Sequence, residues 1–326
     1  CIRDRPDTAA PGLWLPAGLM NGEVTVHVRP LSPADTDWML ALWNETAVHD
    51  ELTRPLLDEK AWKDPDFQPS LALAAEWDGV PQGFCIAVLR RAGETRNGYI
   101  KLLAVRPGCQ RQGTGRILLQ QAESALKGLG ARTVRLGESL PNYLVPGVDK
   151  RYAGACHFFE ARGYRCFDEA CNMTVDLAAA AFDTGAEERA LARSGILLRR
   201  ARPADSETVE RFLEQHWPPW RHEVALSLGR RPPALHLAFR DDELLAFSAF
   251  DGNNAGCGSF GPMGTAPQAR GLGIGHVLLS RCLRDIRASG FDAATIPWVA
   301  PTGFYEHFVG ARVTRRFNRY EKVLKP

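Results

Sequence analysis

Two short runs of this chain share one glycine spacing. They are Gln110-Arg111-Gln112-Gly113-Thr114-Gly115 and Arg270-Gly271-Leu272-Gly273-Ile274-Gly275. Each follows a strand-like stretch and opens a helix-like one. Glycine lets the backbone approach a ligand closely and leaves amide N–H groups uncovered. A helix N-terminus adds free N–H groups and a partial positive charge. The combination is a cradle for a pyrophosphate. Arg111, Arg116 and Arg270 stand where they can add charge-assisted contacts to phosphate. For one copy, the alternative is a glycine-rich turn that binds nothing; two copies in the same context weigh against it. The dinucleotide fingerprint needs a different third spacing and a place after the first strand, and the GxxxxGK[ST] phosphate loop is absent.

The elements that carry these runs are themselves repeated. Val28-Arg29-Pro30-Leu31-Ser32-Pro33-Ala34-Asp35 reads like Leu198-Arg199-Arg200-Ala201-Arg202-Pro203-Ala204-Asp205, a strand followed by a Pro-Ala-Asp helix start. Phe158 to Tyr164 aligns with Tyr305 to Ala311 on a shared glycine, Gly163 and Gly310. Strands are expected at 24–30, 71–77, 82–90, 99–105 and 131–136. Their repeats are expected at 196–201, 234–239, 244–250, 257–265 and 292–298. After the glycine run, Leu118, Ala122, Ala125 and Leu129 share a helix face, as do Ile274, Leu278 and Cys282. A short helix (152–162; 302–309) and two closing strands complete each unit. The result is a mixed α/β sheet, twice.

Length and composition agree. At about 150 residues per domain, 326 residues suggest two domains. Apolar residues make up 45% and charged residues 24%, an ordinary globular balance. The net charge, 40 − 38 = +2, is too near neutral for a dedicated nucleic-acid binder. No apolar run approaches the roughly 20 residues of a membrane span. The eight cysteines form no CxxC pair, so neither a disulfide framework nor a zinc ribbon is expected, and no metal. Reduced, mostly buried thiols suit a cytoplasmic setting. Residues 1–19 are expected to be a flexible extension, 20–178 and 195–326 the two domains, and 179–194 a linker helix.

The glycine motif, its place between a fourth strand and a third helix, and the later helix with aromatic-x-x-x-x-Gly resemble the GNAT superfamily of acyl-CoA-dependent N-acyltransferases. The resemblance covers nearly the whole chain past residue 20, twice. It implies two GNAT-like domains, each a mixed, mostly antiparallel twisted sheet flanked by helices. It also implies acetyl-CoA as co-substrate, its pyrophosphate on Gln110, Arg111, Gln112, Gly113, Thr114, Gly115 and Arg116. The second loop would be Arg270, Gly271, Leu272, Gly273, Ile274 and Gly275. Pantetheine would pair with Leu103 and Val105 in the first unit and with Met263, Gly264 and Thr265 in the second.

Acyl transfer from thioester to amine then makes three demands: removal of a proton from the amine, a donor for the oxyanion, and a proton for the leaving thiolate. The resemblance implies a tyrosine on the later helix as that last donor. The second unit has Tyr305 there, whereas the aligned residue of the first is Phe158, and Tyr152 lies early on its helix. The second unit is therefore expected to be the catalyst. Backbone N–H at Met263 or Thr265 would face the oxyanion. Candidate bases are Glu306, His307, Glu223, His222, His216, Asp251 and Glu138, and a water relay needs none of them. Trp217, Trp220 and Trp298 are candidates for the acceptor wall or for core packing, and the insertion 142–149 for a site-lining loop.

The leading expectation is a tandem N-acetyltransferase acting on a small-molecule amine, cytoplasmic, monomeric or homodimeric, without nucleic-acid or membrane partners. A protein-modifying acetyltransferase and a non-catalytic acyl-CoA sensor are the alternatives. A nucleotide-binding oxidoreductase is disfavoured by the glycine spacing.

Overall fold

A computed structural model describes residues 26–179 and 182–324; the segment 1–19 lies outside them. The first half runs β1 (His27–Pro30), α1 (Thr36–Thr46), α2 (Arg54–Lys60), β2 (Ala72–Trp77), β3 (Val80–Ala92) and β4 (Thr95–Val105). It continues with α3 (Thr114–Gly128), β5 (Thr133–Leu136), the short β6 (Val148–Asp149), α4 (Ala153–Glu160) and β7 (Arg165–Asp176). A helix, α5 (Gly185–Arg193), leads into the second half. There β8 (Ile196–Arg200), α6 (Ser206–His216), α7 (Arg221–Leu228), β9 (Leu235–Arg240), β10 (Glu243–Phe250) and β11 (Phe260–Thr265) follow. The chain closes with α8 (Ile274–Ala288), β12 (Ala293–Ile296), α9 (Thr302–Val309) and β13 (Arg312–Val323).

The repeat is physical as well as sequential. Arg29 grips Asp35 through two nitrogens at 3.0 and 2.7 Å, and Arg199 grips Asp205 at 2.7 and 2.7 Å. Each aspartate also accepts the backbone N–H of the residue three positions before it, which starts the helix. In each half, β1 to β4 or β8 to β11 form an antiparallel meander, and the first helix pair covers one face. The long helix α3 or α8 covers the other, burying Leu118, Ala122 and Leu126 in one half and Leu278, Cys282 and Ile286 in the other.

The sheets end differently from the expected pair of closing strands per unit. Each half has one long closing strand, and the two are exchanged. The strand order is β1-β2-β3-β4-β5-β13-β7-β12. The chain's last strand, β13, therefore lies beside β5 of the first half, while β7 of the first half lies beside β12 of the second. The two long strands pair antiparallel from Arg312↔Thr174 to Glu321↔Arg165. Core side chains follow: Tyr320 of β13 is fully buried in the first-half core, and Met173 and Val175 of β7 are buried in the second-half core. An exposed strand edge is an aggregation liability, and the exchange pairs β5, β13, β7 and β12 in a continuous row across the junction.

The expectation of mostly buried thiols holds for Cys85, Cys171 and Cys282. Cys109 and Cys156 are half-buried, and Cys166 and Cys257 are exposed.

Candidate active site

Two forks in the sheet set the geometry. In the first half, β4 and β5 run parallel from Asn97↔Thr133 to Ile100↔Leu136 and then separate. In the second half, β11 and β12 meet through the parallel Ser259↔Thr295 bridge and form no ladder among the described residues. Beyond each fork one strand keeps an open edge. Arg106 N–H donates to Gln82 at 2.8 Å, and Ala266 N–H donates to Leu245 at 2.9 Å. Antiparallel ladders alternate, so the N–H groups of Leu103 and Val105, and of Met263 and Thr265, turn away from β3 and β10 toward the fork. Register shifts in both ladders, between Ile86 and Ala87 and between Ser248 and Phe250, bend the strands there.

The glycine runs sit at the ends of these edges with matched backbones. Arg111 and Gly113 have φ of 62° and 96°; Gly271 and Gly273 both have 82°. Alternating left-handed residues curl successive N–H groups inward as an anion nest. Gly113 and Gly273 are also the N-caps of α3 and α8, whose first-turn N–H groups have no carbonyl to meet. A Cβ at Gly271 or Gly273 would meet nothing within 4 Å, so the second loop faces open space. The third glycine serves packing. A Cβ at Gly115 would stand 3.4 Å from Phe158 and Val105, and one at Gly275 would stand 3.4 Å from Met263 and 3.6 Å from Phe304. Gln110 donates to Val105 O at 3.0 Å, and Arg270 donates to Thr265 O at 3.3 Å, tying loop to edge in both halves. Thr114 and Ile274 are buried; Gln112 and Leu272 are exposed. Arg111 and Arg116 are exposed and make no ion pair among the described residues.

These glycine contacts correct the sequence alignment of the later helix. Phe158 and Phe304 occupy the same place against their loops, so Tyr305 corresponds to Phe159, not Phe158. The ring pairs agree: Phe158–Phe159 and Phe304–Tyr305 are both edge-to-face at 5.1 Å. Neither phenylalanine has a proton to give. Tyr305 is half-buried, with its ring 6.2 Å from Phe260. Its hydroxyl has no hydrogen-bond partner among the described residues, and burial pushes its pKa up to about 12.

The first-half fork opens into a cavity of about 500 Å³. Leu103, Val105, Phe159, Asp50, Asp149 and Tyr152 are among its lining residues. Val145 and Gly147 place the insertion 142–149 on this wall, as a site-lining loop. Tyr152, early on its helix in the sequence, lines this cavity. Its hydroxyl accepts His49 N–H at 2.8 Å, and burial beside the Asp50 carboxylate holds its pKa well above the usual value. The only sequence signal was a tyrosine at a helix start. Lys101 lies at the bulge of the same edge, fully packed against Asp64, with its pKa lowered to about 7 by burial.

The remaining candidates scatter. Glu306 and His307 are exposed on α9. His216 packs on Phe212 and Trp217 at 4.8 and 5.4 Å. Asp251 pairs with Arg230, and Glu138 pairs with Arg135 and Arg319. His222 is half-buried, which lowers its pKa. Glu223 is buried at the junction of the halves, with Oε1 unpartnered and its pKa raised to about 8 by burial, near Lys60 and Glu59. Trp217 stacks on Trp220 at 5.5 Å and lies against Gly264, where a Cβ would stand 2.6 Å from the ring. Trp298 meets Tyr143 edge-to-face at 5.4 Å. Among the described residues no three His, Cys, Asp or Glu gather to hold a metal, and no helix is long and apolar enough to cross a membrane.

The model of the acetyltransferase (GNAT) family matches the chain twice, at residues 37–164 and 197–310. Among solved structures, a GCN5-related glucosamine N-acetyltransferase region of a fungal multi-domain GH3 β-N-acetylglucosaminidase superposes with a TM-score of 0.79 at 20% identity. That match covers 93% of this chain but only 38% of the fungal one. A GCN5-related N-acetyltransferase from Sphaerobacter thermophilus gives 0.67 at 20% identity, covering 92% of this chain and 96% of that one. A tandem GNAT protein from the clavulanic acid biosynthesis pathway gives 0.64 at 14% identity, covering 93% and 99%. No curated protein matches the chain in sequence. With both glycine runs, both forks and both family matches falling on the same residues, the chain belongs to the GNAT acetyltransferase family, in tandem.

Proposed function

We propose that this protein is an acetyl-CoA-dependent N-acetyltransferase that acetylates the amine of a small molecule by direct attack in a ternary complex. The carrying observation is the pair of left-handed loops, Arg111/Gly113 and Gly271/Gly273, each beside an open strand edge. The residues fit a diphosphate. The first-turn N–H groups after Gly113 and Gly273 would hold it, with Arg111, Arg116 and Arg270 at the rim. Bound there, acetyl-CoA supplies an activated acetyl thioester. Leu103, Val105, Met263 and Thr265 would present N–H groups along the pantetheine path. Met263 or Thr265 N–H would meet the oxyanion in the second half. Tyr305, with no competing hydrogen bond, would give the leaving thiolate its proton there. The small-amine reading draws support from the glucosamine N-acetyltransferase region that resembles this chain in fold. Residues 20–178 and 195–326 are the two repeated units in this reading, joined through 179–194, with their last strands exchanged.

The test is calorimetric and chemical. Acetyl-CoA, set against NAD and ATP, raises the melting temperature and titrates to two sites per chain. Gly113→Asp or Gly273→Asp each removes one site, because a carboxylate then faces the phosphates. Released CoA thiol over a panel of small primary amines separates an enzyme from a sensor. Unchanged stoichiometry in both variants removes the cradle.

A further inference from the structure

The two glycine cradles share a backbone but not a charge. The run 110–116 carries Arg111 and Arg116, whereas the matching places of the run 270–276 hold Gly271 and His276. Arg116 reaches back over its own loop, where a Cβ at Gly113 would stand 3.7 Å from its Nη2. His276 instead lays its ring on Phe308 of α9, stacked at 4.5 Å. Burial lowers the His276 pKa, so the ring is uncharged at neutral pH; Glu187 of α5 and His307 of α9 are the titratable groups acting on it. The second cradle also has an acidic neighbour. Helix α5 is fixed along α8: Leu191 is buried with Ile274, Val277 and Leu278, and Glu188 pairs with Arg281 at 2.5 Å and Arg284 at 3.0 Å. That docking sets Glu187 in the wall of a recess of about 180 Å³, which Leu272 and Gly273 of the loop also line.

We infer that the halves bind acyl-CoA with unequal strength: the first is the tight site, and Glu187 of the linker helix keeps the second, which carries Tyr305, as the weak one. The inference rests on the acetyl-transfer reading above. Acyl-CoA is a polyanion through its diphosphate and 3′-phosphate. A guanidinium within reach adds a charge-assisted contact, and a carboxylate beside the cradle opposes the same phosphates. Arg111, Arg116, Arg270 and Glu187 are all exposed, so solvent screens each of them. The separation is therefore about tenfold or more at low salt and narrows as salt rises. At limiting acyl-CoA the first half fills first, and turnover at Tyr305 follows the occupancy of the second.

The test is a calorimetric titration of the full chain with acetyl-CoA. At about 50 mM salt it is expected to resolve two Kd values about tenfold or more apart, which draw together at about 0.5 M. Gly273→Asp removes the weaker and Gly113→Asp the tighter. Glu187→Gln tightens the weak site about threefold and leaves the tight site alone. Arg111→Gln with Arg116→Gln weakens the tight site about tenfold and brings the two values together. These three side chains are exposed, so the melting temperature of the unliganded variants should match the wild type. Two equal affinities in the wild type, or a Glu187→Gln variant whose weak site is unmoved, overturn the inference and spare the acetyl-transfer reading. So does loss of the tighter site in Gly273→Asp. A wild-type protein that binds acetyl-CoA at neither half overturns both.

Discussion

Arg319 Nε, on the chain's final strand, donates to Glu138 Oε2 at 2.6 Å, joining residues 181 positions apart. Glu138 is 3% exposed and sits just after β5; Arg319 also stacks over Trp298, at the corresponding position after β12, 5.1 Å away. One guanidinium thus meets the same turn in both halves. Both turn residues hold left-handed backbones, φ 37° for Glu138 and 49° for Trp298. Removing Glu138 leaves Arg319 with Asp168, at 2.7 Å, as its remaining carboxylate and Arg135 with Glu321, while the buried side of Arg319 loses its counter-charge. Glu138→Ala is expected to cost about 3 kcal/mol in urea unfolding. A loss below about 1 kcal/mol would mean that Asp168 and solvent suffice for Arg319.

The exchanged strands make the halves interdependent. A fragment ending at residue 194 lacks β13, so β5 and β7 lose the strand between them and the first-half core loses Tyr320. Losing a buried aromatic alone costs about 3–5 kcal/mol. The fragment is expected to aggregate or to show no cooperative unfolding, and to recover a melting transition when residues 195–326 are supplied in trans. An independently stable monomeric fragment would contradict the shared core.

Much of this was legible in the chain because the signals are local. A left-handed loop needs glycine or tolerates few residues, so Gly113, Gly271 and Gly273 mark the nests directly. The Arg29–Asp35 and Arg199–Asp205 pairs sit six residues apart and repeat as written. Strand partnership is not local. The pattern of β13 suits pairing with β12 as well as with β5, and nothing in Arg312 to Val323 says which half it enters. The one-residue slip at Phe158 has a similar origin. Phe158 lies five residues before Gly163, but Phe304 lies six before Gly310, so alignment on the glycine misplaces the aromatic. Tyr152 was missed because only the folded chain brings His49 and Asp50 beside it.

Tyr305 separates proton donation from packing. In a Gly113→Asp background, where acetyl-CoA binds at the second half alone, Tyr305→Phe is expected to lower kcat by about 10²-fold. Its ring contacts with Phe260 and Phe304 survive the change, so acetyl-CoA affinity should hold. Equal kcat in steady-state thiol release would reduce Tyr305 to a packing residue.

Gly264 tests the second fork from the other face. A Cβ there would stand 2.6 Å from Trp217, well inside contact distance, and Trp217 is packed on Trp220 and Phe247. Gly264→Ala must therefore displace the indole, at about 1–3 kcal/mol. Tryptophan fluorescence should shift, and the urea midpoint should fall. Trp217→Phe in the same chain should recover part of the loss. Acetyl-CoA binding to the first half should be untouched.

Glu223 gives the junction of the halves a pH dependence with a definite sign. Its carboxyl is 5% exposed, Oε1 has no partner, and Lys60, Glu59 and Tyr143 are the ionisable groups acting on it. Burial outweighs Lys60 and lifts its pKa from 4.5 to about 8. Between those values the folded chain holds a proton that the unfolded chain has released. Stability from this group is therefore complete below about pH 4.5 and drains as pH rises toward 8, at up to about 1.4 kcal/mol per unit. Glu223→Gln keeps the shape and removes the titration. In urea unfolding across this window, the variant should show a flatter profile than the wild type, and its relative advantage should grow with pH. Parallel profiles would mean that Glu223 stays ionised, its charge answered by Lys60, whose Nζ already donates to Glu59 at 2.7 Å and Asn142 at 2.9 Å.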